Sequence, residues 1–498
     1  MTFTLLEPLR NGGKTPFYHS CLFIDYNTSM LTKSDFLLYL EAPMHLWAKE
    51  HGKLQITAPS VYDQHLMKQG YEVEKVAREF ITQYILPKYK HAELLWQQTY
   101  VSGEYQTRAD GIIHDLDTDT YDLYEIKSST SEKKDHLPDA TFQTIVIGNS
   151  LNLNKTHLVL LNDEYVRGES LDIEQLFKVP DITAEVAEMT VTILAQMRDA
   201  LQIIKSGEHI SVLNCLNPKD CPCIDLCHPN LPPYSIYNVP NLTPKKRREL
   251  EDAKTIAIDD VDLNFPFTPR QQKIVDVMQS KTPFIDKPTI QGLLHGLTYP
   301  LYFLDYETYD EAMPLYKGHK PYQKMVFQYS LHIVSSNSED IQHEEYVARE
   351  QGDPAKDLLK HLRSRISDTG SVIVWNKGFE GGQNKEMGEL YPEYKEFLTD
   401  INNRMFDLME IVSKGYYLHP DFKGRWSIKN VLPVMVPELS YNDLDINKGD
   451  MAMIAWWEMI HSTDTDAKQK TTDSLLKYCG LDTLAMVKIW KKLLELTA

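Results

Sequence analysis

The sequence predicts an α/β protein of two domains, each a mixed sheet flanked by helices. Three observations predict it. The chain has 498 residues, longer than one hydrophobic core usually serves. In the first half the apolar spacing changes from three-and-four to two as helices give way to strands, and the second half opens on strands that lead into helices. Between the halves, from about 228 to 298, proline becomes frequent and the stretch reads as a connector. The expected division is 1–228, 229–298 and 299–498.

The elements follow in order. Residues 28–50 read as an amphipathic helix opened by Thr32 or Ser34. Leu66 to Tyr84 is a second helix, with Val73, Val76, Ala77, Phe80, Ile81 and Tyr84 as its apolar stripe. Residues 105–113 and 120–127 alternate and read as paired strands around the turn HDLDTDT. A short strand at 157–161 and a long helix at 183–205 complete the first half. In the second half TYPLYFLDYETYD, MVFQYSLHIV and SVIVWN read as strands, and about 472–496 as a terminal helix. Adjacent strands followed by helices predict a mixed sheet with helical cover.

Composition sets limits. Hydrophobic residues are 42% and charged residues 25%, which is ordinary for a soluble globular chain. No window approaches the roughly 20 uncharged apolar residues of a membrane helix. The opening MTFTLLEPLRNGG lacks a basic region before an apolar core, so the expected address is the cytoplasm, with no membrane partner. The net charge of −19 is unhelpful to a nucleic-acid partner, although a nuclease needs basic residues only around its groove. The dense basic run Lys245, Lys246, Arg247 and Arg248 reads equally as a solvated helical turn after Pro244 or as a phosphate contact.

The most informative part of the first half is RADGIIHDLDTDTYDLYEIKSS. Side chains alternate along a strand, so Glu125 and Lys127 share a face with Leu123, while Tyr124 and Ile126 point the other way. Asp110 precedes Gly111 on the partner strand. Two carboxylates and a lysine therefore converge. Carboxylate oxygens hold Mg²⁺ or Mn²⁺, which neutralises a phosphate and activates water. A lysine beside the metal stabilises developing negative charge. The bland alternative is an exposed hairpin with one ion pair.

With a helix before it and a helix carrying Asp139, Phe142 and Gln143 after it, this segment resembles the RecB-like branch of the PD-(D/E)XK nucleases, which includes the CRISPR-associated adaptation exonucleases. The resemblance covers about 30–228. It implies a restriction-endonuclease-like sheet, Asp110 and Glu125 as metal ligands, Lys127 as the catalytic lysine and Gln143 lining the nucleic-acid site. Many members place a metal-binding His on the first core helix; here GYEVEK puts Glu74 there, four residues before Arg78, where a surface ion pair is an equal reading.

Members of that branch also often hold an iron–sulfur cluster on one N-terminal cysteine and three C-terminal ones. The N-terminal position is Ala42, before Pro43. The C-terminal run CLNPKDCPCIDLCHP instead carries Cys215, Cys221, Cys223 and Cys227, enough for a local structural Zn²⁺ or iron–sulfur cluster, with His228 as a substitute ligand.

In the second half, LYFLDYETYD is an apolar strand interrupted by Asp305 and Glu307, two apart and therefore on one face. Buried charge of this kind calls for compensation, and a divalent cation supplies it. Near the C-terminus Tyr478 and Asp482 lie one helical turn apart. This pattern resembles the DEDD exonucleases of the ribonuclease-H-like fold, in their tyrosine variant. The resemblance implies two metal ions on the acids and a tyrosine that orients water. The middle acid is Glu380, in a segment with Asn376 and Phe379, where Asp is expected; Asp407 is a substitute. Residues 299–490 also resemble an uncharacterised bacterial family, with FLDYET, GRWSIKNVLP and YCGLDT as landmarks. Arg425, Trp426 and Lys429 in the second landmark read as nucleic-acid contacts or as a buried Trp beside a helix start. Together these resemblances imply a metal-dependent nuclease, with DNA ahead of RNA as partner. The alternative is a nucleic-acid-binding protein with one or both sites inactive.

Overall fold

The computed structural model describes residues 30–54, 58–206, 221–336 and 341–498. Over these residues the chain is a mixed α/β protein with a five-stranded mixed sheet in each half. Among the described residues no helix is long and apolar enough to cross a membrane.

The first sheet runs Ala92–Trp96, Gly111–Asp115, Thr120–Lys127, Leu153–Leu161, Phe177–Lys178. Thr120–Lys127 is central, antiparallel to Gly111–Asp115 and parallel to Leu153–Leu161. Its two faces divide as the alternation requires: Leu123 packs with Ile112 and Ile147, and Tyr124 and Ile126 pack with Val73, Ala77 and Phe80.

Two expected elements are broken. The helix read across 28–50 is two helices, Lys33–Glu41 and Pro43–Glu50, divided where Pro43 forces Ala42 into extended backbone. Thr32 and Asp35 cap the first one reciprocally. The strand read across 105–113 is also two. Tyr105–Arg108 pairs with Thr99–Ser102 and Leu31–Thr32 in a small separate sheet, whereas Gly111–Asp115 joins the main one. Gly111 lies opposite Trp96, whose ring would stand 2.6 Å from any Cβ placed there. Glycine is what lets the indole lie across the strand.

The second sheet runs Ile341–Val347, Met325–Val334, Leu301–Tyr309, Ser371–Val374, Met405–Asp407. Every residue of Met325–Val334 is buried, as expected of a strand covered on both faces. From Leu301–Tyr309, Leu304 and Tyr306 enter a core with Leu358 and Leu362. Phe303 and Tyr309 enter the opposite core with Met486 and Trp490 of the terminal helix Thr465–Thr497. Asp305 and Glu307 share that face. The connector is ordered: Ile236, Leu250, Ile274 and Met278 form a small core with Leu418, and Ile290 and Leu294 enter the second domain's core.

The two halves meet along a seam built by the loop that leaves Tyr309. Ala312 sits in the first half's core. The Gln69 amide donates to the Asp310 carbonyl and accepts from Ala312 N, both at 3.2 Å. Arg167 N donates to His319 O at 3.0 Å, and Gly318 N to Arg167 O at 2.8 Å. The Tyr322 hydroxyl donates to the Ser128 carbonyl at 2.8 Å.

Candidate active sites

The first acid cluster forms where the central strand meets two helices. Asp110 folds back so that its Oδ2 accepts from Ile126 N at 3.0 Å. Lys127 Nζ donates to Glu125 Oε1 at 2.9 Å and also to Asp139. Asp139 comes from the first turn of helix His136–Gly148. A second lysine arrives from far away: Lys33, the first residue of its helix, donates to Glu125 Oε1 at 2.9 Å and stands 3.6 Å from Asp139. Three acids thus face two lysines. Burial would raise Glu125, but Lys127 and Lys33 overcome it and hold the carboxyl far below its ordinary range. Burial and repulsion from Glu125 push Asp110 up to about 7. Glu125 Oε2 is buried without a hydrogen-bond donor, which leaves one lone-pair site for a cation.

The structure places the other expected residues as follows. Gln143 is wholly buried and donates to Asp139 Oδ1 at 3.0 Å, so it positions an acid rather than lining open space. Glu74 is taken up by Arg78 at 2.6 Å and Gln97 at 2.8 Å, the surface-pair reading. Trp426 lies over Arg270 at 4.8 Å, and its carbonyl accepts from Trp375 Nε1. Beside it Arg425 lines a cavity of about 490 Å³ with Arg247 and Asn430.

The second cluster gathers Asp305 and Glu307 from the central strand, and Tyr478 and Asp482 from the terminal helix. All are buried or nearly so. Cys479 Sγ donates to Asp305 Oδ2 at 3.5 Å. The Tyr441 hydroxyl donates to Asp482 Oδ1 at 2.5 Å. Lys429, expected to contact nucleic acid, spends its ammonium on the Tyr478 hydroxyl at 3.0 Å and the Asn447 carbonyl at 2.9 Å. Glu380 lies in the first turn of helix Lys377–Leu390; its Oε2 is buried and unpartnered. The substitute, Asp407, has a carboxylate that accepts from Lys377 N and Met409 N, both at 3.0 Å. Burial first, then mutual repulsion, drives Asp305 and Glu307 well above the carboxylate range. Burial pushes Asp482 to about 6 and, with Asp407, Glu380 to about 8. A metal fits here: buried acids that repel one another, and an orphaned oxygen, match hard oxygen coordination.

Of the cysteines, Cys221, Cys223 and Cys227 lie in one small buried cluster, and Cys215 lies outside the described residues. His228 meets the Tyr237 hydroxyl at 3.2 Å. Sequence reasoning gave no site role to Lys33, Asp139, Tyr441 or His45. Of these only Asp139 carried a signal, as the acid in the first turn of the helix after the strand.

Residues 302–427 match the family described as "Domain of unknown function (DUF2779)". A 209-residue stretch is 28% identical to "Uncharacterized protein UU173" of Ureaplasma parvum serovar 3 (strain ATCC 700970), covering 38% of this chain and 30% of the relative. The chain thus spans under a third of that relative's length. No solved structure matches.

Proposed function

We propose that the protein is a metal-dependent nuclease, a phosphodiester hydrolase acting on DNA ahead of RNA. One observation carries this reading: Asp305, Glu307 and Asp482 converge beside Tyr478, with Glu307 and Asp482 buried and more carboxyl groups gathered than the neighbouring lysine can pair. A bound Mg²⁺ or Mn²⁺ would supply charge neutralisation and an activated water. The chain's own residues would do the rest. Asp305, Glu307 and Asp482 would hold the ion, with Glu380 at its edge. Tyr478, fixed by Lys429, would orient water by its hydroxyl. At the first site Asp110 and Glu125 would be the ligands and Lys127 the stabilising cation.

A second reading has a specific observation behind it. Lys33 already sits on Glu125, so the first module grips nucleic acid and the second cuts. The test is Mn²⁺-dependent cleavage of labelled single- and double-stranded DNA and RNA by wild type, Lys127→Ala and Asp305→Ala. The two-site reading expects each variant to lose part of the cleavage. Loss in Asp305→Ala alone supports the division of labour. Absence of cleavage by wild type on every substrate overturns the enzymatic reading.

A further inference from the structure

Among the described residues, the donors that come together at the cysteine run are not cysteines alone. The donor set is mixed. His45, in the first turn of helix Pro43–Glu50, brings its Nε2 to 3.2 Å from Cys221 Sγ. His45, Cys221 and Cys223 each offer a ligand atom, all within 4.8 Å of one another and all three residues buried. The alanine at the expected ligand position, Ala42, stands three residues before this histidine and ends the preceding helix.

We propose that His45, Cys221 and Cys223 hold a structural Zn²⁺, with Cys227 as the fourth ligand, in place of an iron–sulfur cluster. Four lines of geometry support it. Tetrahedral zinc, with Zn–S near 2.3 Å and Zn–N near 2.0 Å, separates neighbouring ligand atoms by roughly 3.5 Å, and the observed His–Cys spacing is 3.2 Å. Cys223 N points at Cys221 Sγ from 3.3 Å, a backbone donor that stabilises a thiolate. The other ring nitrogen, Nδ1, faces Glu41 Oε2 at 3.4 Å, the carboxylate–histidine arrangement that fixes the metal-facing tautomer. Cys227 closes the turn begun at Cys223, its N–H donating to Cys223 O at 2.9 Å, and packs on the same cluster. An imidazole with three thiolates matches zinc; the common iron–sulfur clusters of this kind take four thiolates.

The site has a mechanical role. Helix Pro43–Glu50 lies against the long helix Thr183–Ser206, and Met44, Trp47 and Ala48 bury themselves around Cys221 and Cys223. The ion would tie the chain that follows the long helix back to the N-terminal helices. This inference does not depend on the nuclease reading.

The test uses the full chain, purified without added metal and without oxygen. Zinc and iron are counted per chain by plasma mass spectrometry, and the absorbance spectrum is recorded before and after exchange with Co²⁺. The proposal expects one zinc, negligible iron, and a tetrahedral Co²⁺ spectrum with thiolate charge transfer. His45→Ala should lower zinc affinity at least tenfold. His45→Cys should keep the zinc and the fold while strengthening the charge-transfer band, which separates lost ligation from lost folding. Stoichiometric iron with broad visible absorbance overturns the proposal. So does full zinc retention with an unchanged Co²⁺ spectrum in His45→Ala, or a wild type that binds neither metal.

Discussion

The two acid clusters use similar residues and reach opposite electrostatic states. In the first, Lys33 and Lys127 both reach Glu125 and Asp139, and Glu125 is held ionised between them. In the second, Lys429 stands near but gives its hydrogen bonds to a phenol and a carbonyl, and the acids repel one another. The difference teaches that an acid pattern alone does not define a metal site. The cations brought from elsewhere decide whether the acids are paired or left to repel one another.

The largest effect should come from Asp305→Asn. Removing one ligand oxygen from the acid set should abolish the Mn²⁺-dependent rise in melting temperature and reduce cleavage by about 100-fold or more. At alkaline pH, where the metal-free cluster ionises, the same change should raise the melting temperature of the chelator-treated protein, because it relieves repulsion. A lower metal-free melting temperature would break the comparison outright.

The second effect is on pH dependence. Asp305, Glu307, Asp482 and Glu380 have folded-state values raised above their unfolded ones, so folding retains protons that the unfolded chain releases. Their contribution is fully present below the ordinary carboxylate range and is lost as pH rises through the folded values. Metal-free thermal stability should therefore fall as pH rises through about 6 and about 8, the Asp482 and Glu380 values. Saturating Mn²⁺ should flatten the slope. Glu125 works in the other direction: its value is lowered, so its contribution is lost only toward strongly acid pH. A melting curve that rises with pH across the neutral range would show that the second cluster is not under-neutralised.

A smaller effect sharpens the contrast. Lys33→Met, in an Asp305→Asn background that silences the second site, should tighten Mn²⁺ binding at the first site about tenfold, the scale of one partly screened charge pair. Unchanged calorimetric affinity would show that Lys33 does not compete with the ion. The smallest effect is at the seam. Tyr322→Phe removes the donor to Ser128 and should lower unfolding free energy by about 1 kcal/mol in denaturant titration.

How much of this was legible follows from how far apart the partners lie. Asp110, Glu125 and Lys127 were readable because strand alternation is local and the hairpin returns within a few residues. Asp305 with Glu307, and Tyr478 with Asp482, were readable for the same reason. Lys33 is 92 positions from Glu125, and His45 is 176 from Cys221; no periodicity links them. Tyr441 sits in the turn after Leu439 and meets Asp482 only because the terminal helix returns across the sheet. Pro43 was visible, and its power to split a helix was the rule that the long reading passed over. Strand Ile341–Val347 was missed because an edge strand carries charge, here in Gln342, His343, Glu344 and Glu345, rather than an apolar run.

The loop from Tyr309 to Tyr322 gives the molecule a further property. It leaves the strand that carries Asp305 and Glu307, and it ends with a hydroxyl on Ser128, next to Lys127. The two centres are therefore mounted on one frame. On the nuclease reading, a strand engaged by both is touched at two points whose separation the frame fixes. On that proposal fragment lengths would cluster around one interval set by the seam, and loosening the seam would blur that interval before it slowed the cutting.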